Sequence, residues 1–267
     1  MKQRILLSGE SQILKVGITS SGLQKIRIRV SDAEQVNTFL TDRFDSADGN
    51  KYFYIRMPKA PSVALVEVFN EQFGPSDSNV GFNMIKGGLW RMPLERKTAG
   101  IDVADTDVRT FIDFAQRFCY HAGHLKPGLY KSDNGRIVLN YMPVLTDENG
   151  RPLNTPAQTG EITGEIEISQ KKFQQMTVPM RFAILCHEFA HYYLNKDMYN
   201  EIEADMQGLN IYLGLGYPRY EAYEAFLETF KGADTNLNVQ RLKKIEWFIS
   251  NFETINMVTL YQDQKRA

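Results

Sequence analysis

The segment at residues 178–194 constrains the fold more than any other part of the chain. It contains HEFAH at residues 187–191, in which two histidines stand four positions apart and a glutamate follows the first. In a helix this spacing places both imidazoles on one face, one turn apart, where they can bind a single metal ion. Pro179 suits the first turn of such a helix, and Thr177 precedes it as a cap. The pattern therefore predicts a helix with a metal-binding face.

The two histidines fall on the apolar face of this helix, in line with Ala183, Ile184 and Leu194. Burying two imidazoles among apolar side chains is costly unless they have partners, and a shared Zn²⁺ removes that cost. A motif of five residues also occurs by chance in many helices. The prediction of a metal site therefore depends on a third ligand elsewhere in the chain.

The sequence NEIEAD at residues 200–205 supplies candidates for that ligand. We expect a second helix over residues 199–213, in which Glu201 and Asp205 lie one turn apart. Glu201 is the candidate third ligand, and Asp205 can accept a hydrogen bond from the far nitrogen of a ligand histidine. Glu203 points away from that face and is expected in solvent. The alternative is an acidic first turn, which the helix dipole favours.

Several motifs together resemble the gluzincin metallopeptidases. HEFAH is followed by EIEAD, by Gly208, by the turn LGLGYP at residues 213–218 and by an expected helix at residues 220–230. This order is similar to that of the soluble catalytic domain of CAAX-prenyl-protease-type peptidases and of minimal gluzincins. The strand EIEIS, which precedes the helix, matches the family's order as well. The resemblance covers roughly residues 130–250.

The resemblance implies a zincin-like C-terminal domain that hydrolyses peptide bonds with Zn²⁺ as cofactor. It makes His187, His191 and Glu201 the zinc ligands. It also implies that Glu188 is the general base that activates a zinc-bound water, and that Asp205 supports a ligand histidine. The implied substrate is a peptide or a protein.

Two features depart from the family's pattern. Nine residues separate His191 from Glu201, which is a short connection. Where the family often has His-Pro before an arginine, this chain has DTNL at residues 234–237 and then Arg241. A donor is still needed for the charge that develops in the transition state. The candidates for that donor are Asn236, Arg241, Tyr193 and Tyr217.

The first part of the chain, residues 1–95, is expected to be a β-rich module. A polar stretch with proline and glycine at residues 91–102 marks the boundary, so that the second domain spans residues 103–267. We expect a short helix at residues 32–42 capped by Ser31, and a turn at residues 46–50. Alternating or β-branched patterns predict strands at residues 13–16, 25–30, 52–57 and 62–68.

The second part mixes helices and strands, so the predicted fold class is α+β. A stripe of apolar residues predicts a helix that begins near Asp105. Strands are expected at residues 136–141 and 165–169, with a long loop at residues 147–163 between them. EIEIS is either an edge that can pair with an extended peptide or an ordinary sheet strand. His121 and His124, at the end of the first helix, are expected to have capping or surface roles.

Composition excludes several classes of protein. The 267 residues are 43% hydrophobic with a net charge of −1, which predicts a soluble globular protein and disfavours nucleic-acid binding. The apolar run at residues 5–7 is too short for a signal peptide, and no stretch is long enough for a membrane span. Cys119 and Cys186 lie in apolar helical patterns, which predicts buried free thiols and a reducing compartment. We therefore expect a cytoplasmic location, or one within a larger assembly or virion.

Two functions fit these observations. The first is a zinc metalloendopeptidase. The second is a catalytically silent protein with a zincin fold that serves a structural or interaction role in a larger assembly, such as a phage or secretion particle. In either case the N-terminal module is expected to supply contacts with protein partners.

Overall fold

The structure, a computed structural model, describes residues 1–35, 37–72, 81–96, 101–231, 233 and 235–264, with side chains up to residue 253. The fold is α+β, as the sequence predicts. The chain divides into two compact units. The first comprises Met1–Glu95 with Gly216–Pro218, and the second Arg96–Leu215 with Arg219–Ala267.

The first unit is built on one sheet. Its strands are β1 (Lys2–Leu6), β2 (Gln12–Asp32), β3 (Phe39–Met57), β4 (Val63–Asn70) and β5 (Phe82–Pro93). The sheet has the order β1-β4-β2-β3, with β5 also paired to β2, and each pairing is antiparallel. Strand β2 therefore organises the unit, because it pairs with three other strands.

Strand β2 shows the alternation that a sheet with one buried face requires. Leu14, Val16 and Ile18 are fully buried on one side, while the side chains of Ile13 and Lys15 remain partly exposed. Gly17 lies on the other side beneath the ring of Tyr52, where an added Cβ would come within 2.9 Å of that ring. A glycine is therefore needed for the ring to lie flat against the sheet.

Two predictions for this unit are wrong. Residues 46–50 belong to β3, where Gly49 pairs with Ser20 opposite a bulge in β2. Within the described residues of 32–42 there is no helix, because Phe39 and Thr41 pair with the end of β2 instead. These aromatic and β-branched side chains favour a strand, and that preference outweighs the helical spacing. Three of the four predicted strands lie within β2 or β3, and the strand predicted at residues 62–68 corresponds to β4, which begins one residue later.

The second unit contains a smaller mixed sheet. Its strands are β6 (Gly128–Lys131), β7 (Val138–Met142), β8 (Ala157–Thr159) and β9 (Ile166–Ser169), in the order β6-β7-β9-β8. Strands β7 and β9 are parallel, and the other pairs are antiparallel. Of the two alternatives for EIEIS, the structure shows the ordinary sheet strand, because β9 lies between β7 and β8. The edge strands are β6 and β8, and β8 lies in a segment predicted to be a loop.

In the described residues of the second unit there are also six helices. They are α1 (Thr106–His121), α2 (Gln170–Phe173), α3 (Val178–Tyr193), α4 (Glu201–Gly214), α5 (Arg219–Phe230) and α6 (Asn236–Gln264). The side chain of Thr177 accepts from the Met180 N–H at the start of α3, and that of Asn200 accepts from the Glu203 N–H at the start of α4. These caps therefore set the first residues of α3 and α4, the two helices that carry the expected metal ligands.

Helix α3 runs through the core of the second unit. Phe182, Leu185 and Phe189 are fully buried, and the ring of Phe189 stacks on that of Phe111 from α1 with 4.0 Å between centroids. Cys119 and Cys186 are buried free thiols, as predicted. Among the helices that the structure describes, none combines the length and apolarity needed to cross a membrane.

Candidate metal centre

The candidate site forms where α3 and α4 pack against each other. Gly208 of α4 lies directly on the α3 backbone, where an added Cβ would come within 2.8 Å of the backbone nitrogen of His187. This close approach is open only to glycine, since the atoms it meets are backbone and cannot rotate away. The two helices are therefore near enough for acidic side chains of α4 to reach the histidines of α3.

Three side chains bring one ligand atom each to a common point. His187 Nε2 lies 3.0 Å from His191 Nε2, and Glu201 Oε2 lies 3.5 Å and 3.7 Å from these two nitrogens. Ligands about 2.0–2.1 Å from a tetrahedral Zn²⁺ are about 3.3 Å apart. Among the residues that the structure describes, this group could hold a metal ion, and its donor set of two imidazoles and a carboxylate fits zinc.

The second nitrogen of each histidine faces an acceptor. His191 Nδ1 lies 2.6 Å from the Met198 carbonyl oxygen, and His187 Nδ1 lies 3.0 Å from Asp205 Oδ1, an ion-pair distance at which the geometry is not that of a hydrogen bond. An Nδ1–H that donates to an oxygen leaves the lone pair on Nε2 free to bind a metal. Both imidazoles are less than a tenth exposed, so these partners also hold the rings in place.

Arg241 of α6 joins the two acidic residues of α4. Its Nε and Nη2 donate to the carboxylate of Asp205 at 2.8 Å and 2.9 Å, and its Nη1 lies 2.9 Å from Glu201 Oε2. Burial alone would raise the pKa of both acids. The contacts with Arg241 and His187 outweigh burial, lowering the pKa of Glu201 to about 2 and that of Asp205 below its usual value. Both acids are therefore carboxylates at neutral pH.

The same carboxylates act on His187. Burial by itself lowers the pKa of this imidazole, yet Asp205, Glu201 and Glu188 more than offset burial and raise it to about 10. In the metal-free protein at neutral pH, His187 is therefore an imidazolium. Metal binding must displace its proton, because only the neutral ring has a lone pair to offer.

Glu188 opens onto a cavity of about 310 Å³ together with His187, His191 and Glu201. The hydroxyl of Thr159, on β8, lies 2.9 Å from Glu188 Oε2 and 2.8 Å from the Glu188 carbonyl oxygen. The cavity thus brings a carboxylate beside a potential metal position. Its other lining residues, from β8 and its surroundings and from four further segments, are Thr155, Pro156, Ala157, Gln158, Glu161, Ile184, Met198, Tyr199, Phe226, Thr229 and Arg241.

The four candidate transition-state donors have different positions in the structure. Arg241 reaches the cavity, but its guanidinium already donates to Asp205 and Glu201. Asn236 is exposed at the start of α6, and the described residues that line the cavity do not include it. Tyr193 stacks on Phe189 and donates to a backbone carbonyl. Tyr217 belongs to the first compact unit.

The remaining candidates have other positions. Glu203 is partly exposed, and its N–H donates to the Asn200 side chain at the start of α4. His121 is the last residue of α1 and His124 lies in the turn that follows, both exposed. Neither belongs to the group of described residues that could hold a metal.

Sequence reasoning missed three contributors to the site. The Met198 carbonyl could not be predicted, because every residue type has the same backbone acceptor. Thr159 lay in a predicted loop, although the short stretch AQT at residues 157–159 ends in a β-branched residue. The Arg241 contact with Asp205 had a signal, since a buried carboxylate requires a cationic partner.

Comparison of the chain with protein-family models, with curated proteins and with solved structures finds no match. The account of the site therefore rests on the geometry above.

Proposed function

We propose that this protein is a zinc-dependent metalloendopeptidase. The observation that carries the proposal is the convergence of His187 Nε2, His191 Nε2 and Glu201 Oε2 within 3.7 Å of one another beside the Glu188 carboxylate. A bound Zn²⁺ would polarise the scissile carbonyl and lower the pKa of a water molecule toward roughly 7. Glu188 accepts a proton from the attacking water and donates it to the leaving amine as the C–N bond breaks.

The edge of the small sheet supports an extended peptide as substrate. The Ser169 N–H donates to the Pro156 carbonyl, and the Gly160 N–H donates to the Glu165 carbonyl. Because hydrogen-bonded positions alternate in an antiparallel pair, the backbone groups of Ala157 and Thr159 point away from β9. In the described part of the chain no strand pairs with that side of β8, which lines the cavity. A peptide can therefore pair there as an added strand.

Cleavage of fluorescein-labelled casein by the zinc-loaded protein tests the proposal. Glu188→Gln removes the proton acceptor and keeps the shape, so the rate should fall about 10²–10⁴-fold while zinc remains bound. The matched control is Glu148→Gln, at an exposed residue in a loop, which should cleave like the wild type. A wild-type protein that cleaves no faster than Glu188→Gln contradicts the proposal.

One observation favours the second candidate, a catalytically silent protein with a structural or interaction role in a larger assembly. The Arg241 guanidinium, the charged transition-state donor expected from the sequence, is engaged by two carboxylates. Under this alternative Glu188→Gln leaves function intact, while deletion of residues 1–95 abolishes assembly.

A further inference from the structure

We infer that Thr159 is a positioning residue that orients the Glu188 carboxylate toward the metal site. This inference rests on the proposed function, because the orientation matters only if Glu188 transfers a proton. Thr159 ends β8, and its side chain spans the space between that strand and α3. The residue therefore connects the edge that borders the cavity to the base beside the metal ligands.

The hydroxyl of Thr159 has one proton and two acceptors within reach. These are the Glu188 carboxylate at 2.9 Å and the Glu188 carbonyl at 2.8 Å. The carbonyl also accepts from the N–H four residues later in α3, as helix geometry requires. Hydrogen bonds to a carboxylate oxygen are stronger than those to a backbone carbonyl. The carboxylate is therefore the stronger acceptor for the proton.

This contact gives the two oxygens of the Glu188 carboxylate different roles. With Oε2 held by Thr159, rotation of the carboxylate is restricted and Oε1 remains for the proton transfer. Glu188 is only 7% exposed, and among the described side chains Thr159 is the one that donates a hydrogen bond to its carboxylate. Loss of the hydroxyl should therefore leave the base in place but poorly oriented.

The variants Thr159→Val and Thr159→Ser separate the hydroxyl from the shape of the side chain. Valine keeps the branched shape that suits a strand, whereas serine keeps the hydroxyl. The probe is a fluorogenic peptide that spans a casein bond cut by the wild type. A 1 Å misplacement of a reacting group can cost about 100-fold, so we expect kcat to fall about 10- to 100-fold in Thr159→Val. Thr159→Ser should recover most of kcat, and KM should change little in both variants.

A purely structural role for Thr159 gives a different kinetic result. If the residue only shapes the edge of β8, Thr159→Val raises KM and leaves kcat unchanged, because peptide docking alone is affected. That result overturns the inference, as does full activity in Thr159→Val. Thr163→Val is the matched control, since its hydroxyl accepts from the Glu165 N–H in the neighbouring turn.

A second readout needs neither zinc nor substrate. Chemical unfolding of the metal-free wild type, Thr159→Val, Glu188→Ala and the double variant forms a thermodynamic cycle. We expect Thr159→Val to cost less in the Glu188→Ala background, where only the neutral carbonyl remains as acceptor. Additive losses contradict the inference. A wild type that cleaves nothing contradicts the proposed function, and the cycle then still decides whether Thr159 holds Glu188.

Discussion

The two compact units bury different kinds of side chain. In the described residues of the first unit, Asp32 is the one charged side chain that is buried, and the interior is otherwise apolar or neutral. The second unit buries both signs of charge, namely Arg181, Glu188, Asp205, Glu221 and Arg241, together with His187 and His191. Buried charges cost several kcal/mol each unless they are paired. The second unit therefore carries a desolvation cost that the first unit largely avoids.

Arg181 shows that not every buried charge in the second unit belongs to the site. Its guanidinium donates to the Phe173 carbonyl at 2.7 Å and the Cys119 carbonyl at 3.0 Å, near the ends of α2 and α1. A cation near helix C-termini is stabilised by their dipoles. The charges around His187 differ, because they pair with one another and converge on a cavity.

The largest loss of stability is expected on replacing Asp205, a fully buried carboxylate of the second unit. Asp205→Ala leaves Arg241 without its bidentate partner, which should lower the unfolding free energy of the metal-free protein by roughly 3–5 kcal/mol. It also removes the acceptor for His187 Nδ1, so the Kd for zinc should rise about 10- to 100-fold. Chemical denaturation and competition with a chelator measure the two changes.

The control for this prediction lies in the first unit. Asp45 forms a partly exposed ion pair with Lys51, with 33% of its side chain accessible. Asp45→Ala should therefore cost only about 0–1 kcal/mol and leave zinc affinity unchanged. Equal losses in the two variants would show that the contrast between the units is wrong.

A cavity created by mutation in the core of the first unit should lower stability without changing the affinity for zinc. Leu14 is fully buried in the sheet, and Leu14→Ala should lower the unfolding free energy by roughly 2–5 kcal/mol. Because none of the metal-binding side chains lies in that unit, the Kd for zinc should not change. Denaturation curves and chelator competition on the same samples test this, and weakened zinc binding contradicts it.

Replacing Gly208 should lower both the unfolding free energy and the affinity for zinc. The methyl group in Gly208→Ala meets the α3 backbone and forces the helices apart, at a cost of about 1–3 kcal/mol. Because Glu201 then lies farther from the histidines, zinc binding should weaken as well. Gly22 in β2 has open space around it, so Gly22→Ala is the matched control. A Gly208→Ala protein with unchanged zinc affinity refutes the role assigned to this contact.

The last prediction concerns the dependence of stability on pH in the metal-free protein. The pKa of His187 is raised to about 10 on folding, so its contribution is complete below pH 6.5 and is lost as pH rises toward 10. The lowered pKa of Glu201, about 2, gives a contribution that is lost as pH falls toward 2. Thermal unfolding should show the alkaline decline in the wild type and its absence in His187→Gln. A flat alkaline profile in the wild type contradicts the charge state assigned to His187.

The sequence predicted which side chains come together, His187, His191 and Glu201, better than it predicted the sheet edges. HEFAH and EIEAD identify side chains by type and spacing, and helical geometry converts that spacing into a common face. Strand β8 was missed because three residues carry little periodicity, and its place at the edge depends on pairing with β9. The turn at residues 46–50 became part of β3 because its long-range partner in β2 outweighs local turn preference.

The central claim is that His187, His191 and Glu201 bind one zinc ion. Zinc content after equilibration with a weak chelator at pH 7.5 tests it most directly, with His191→Ala and the exposed residue His124→Ala compared side by side. The account predicts one zinc per chain in the wild type and in His124→Ala, and none in His191→Ala. Wild-type protein that retains no more zinc than His191→Ala would contradict it.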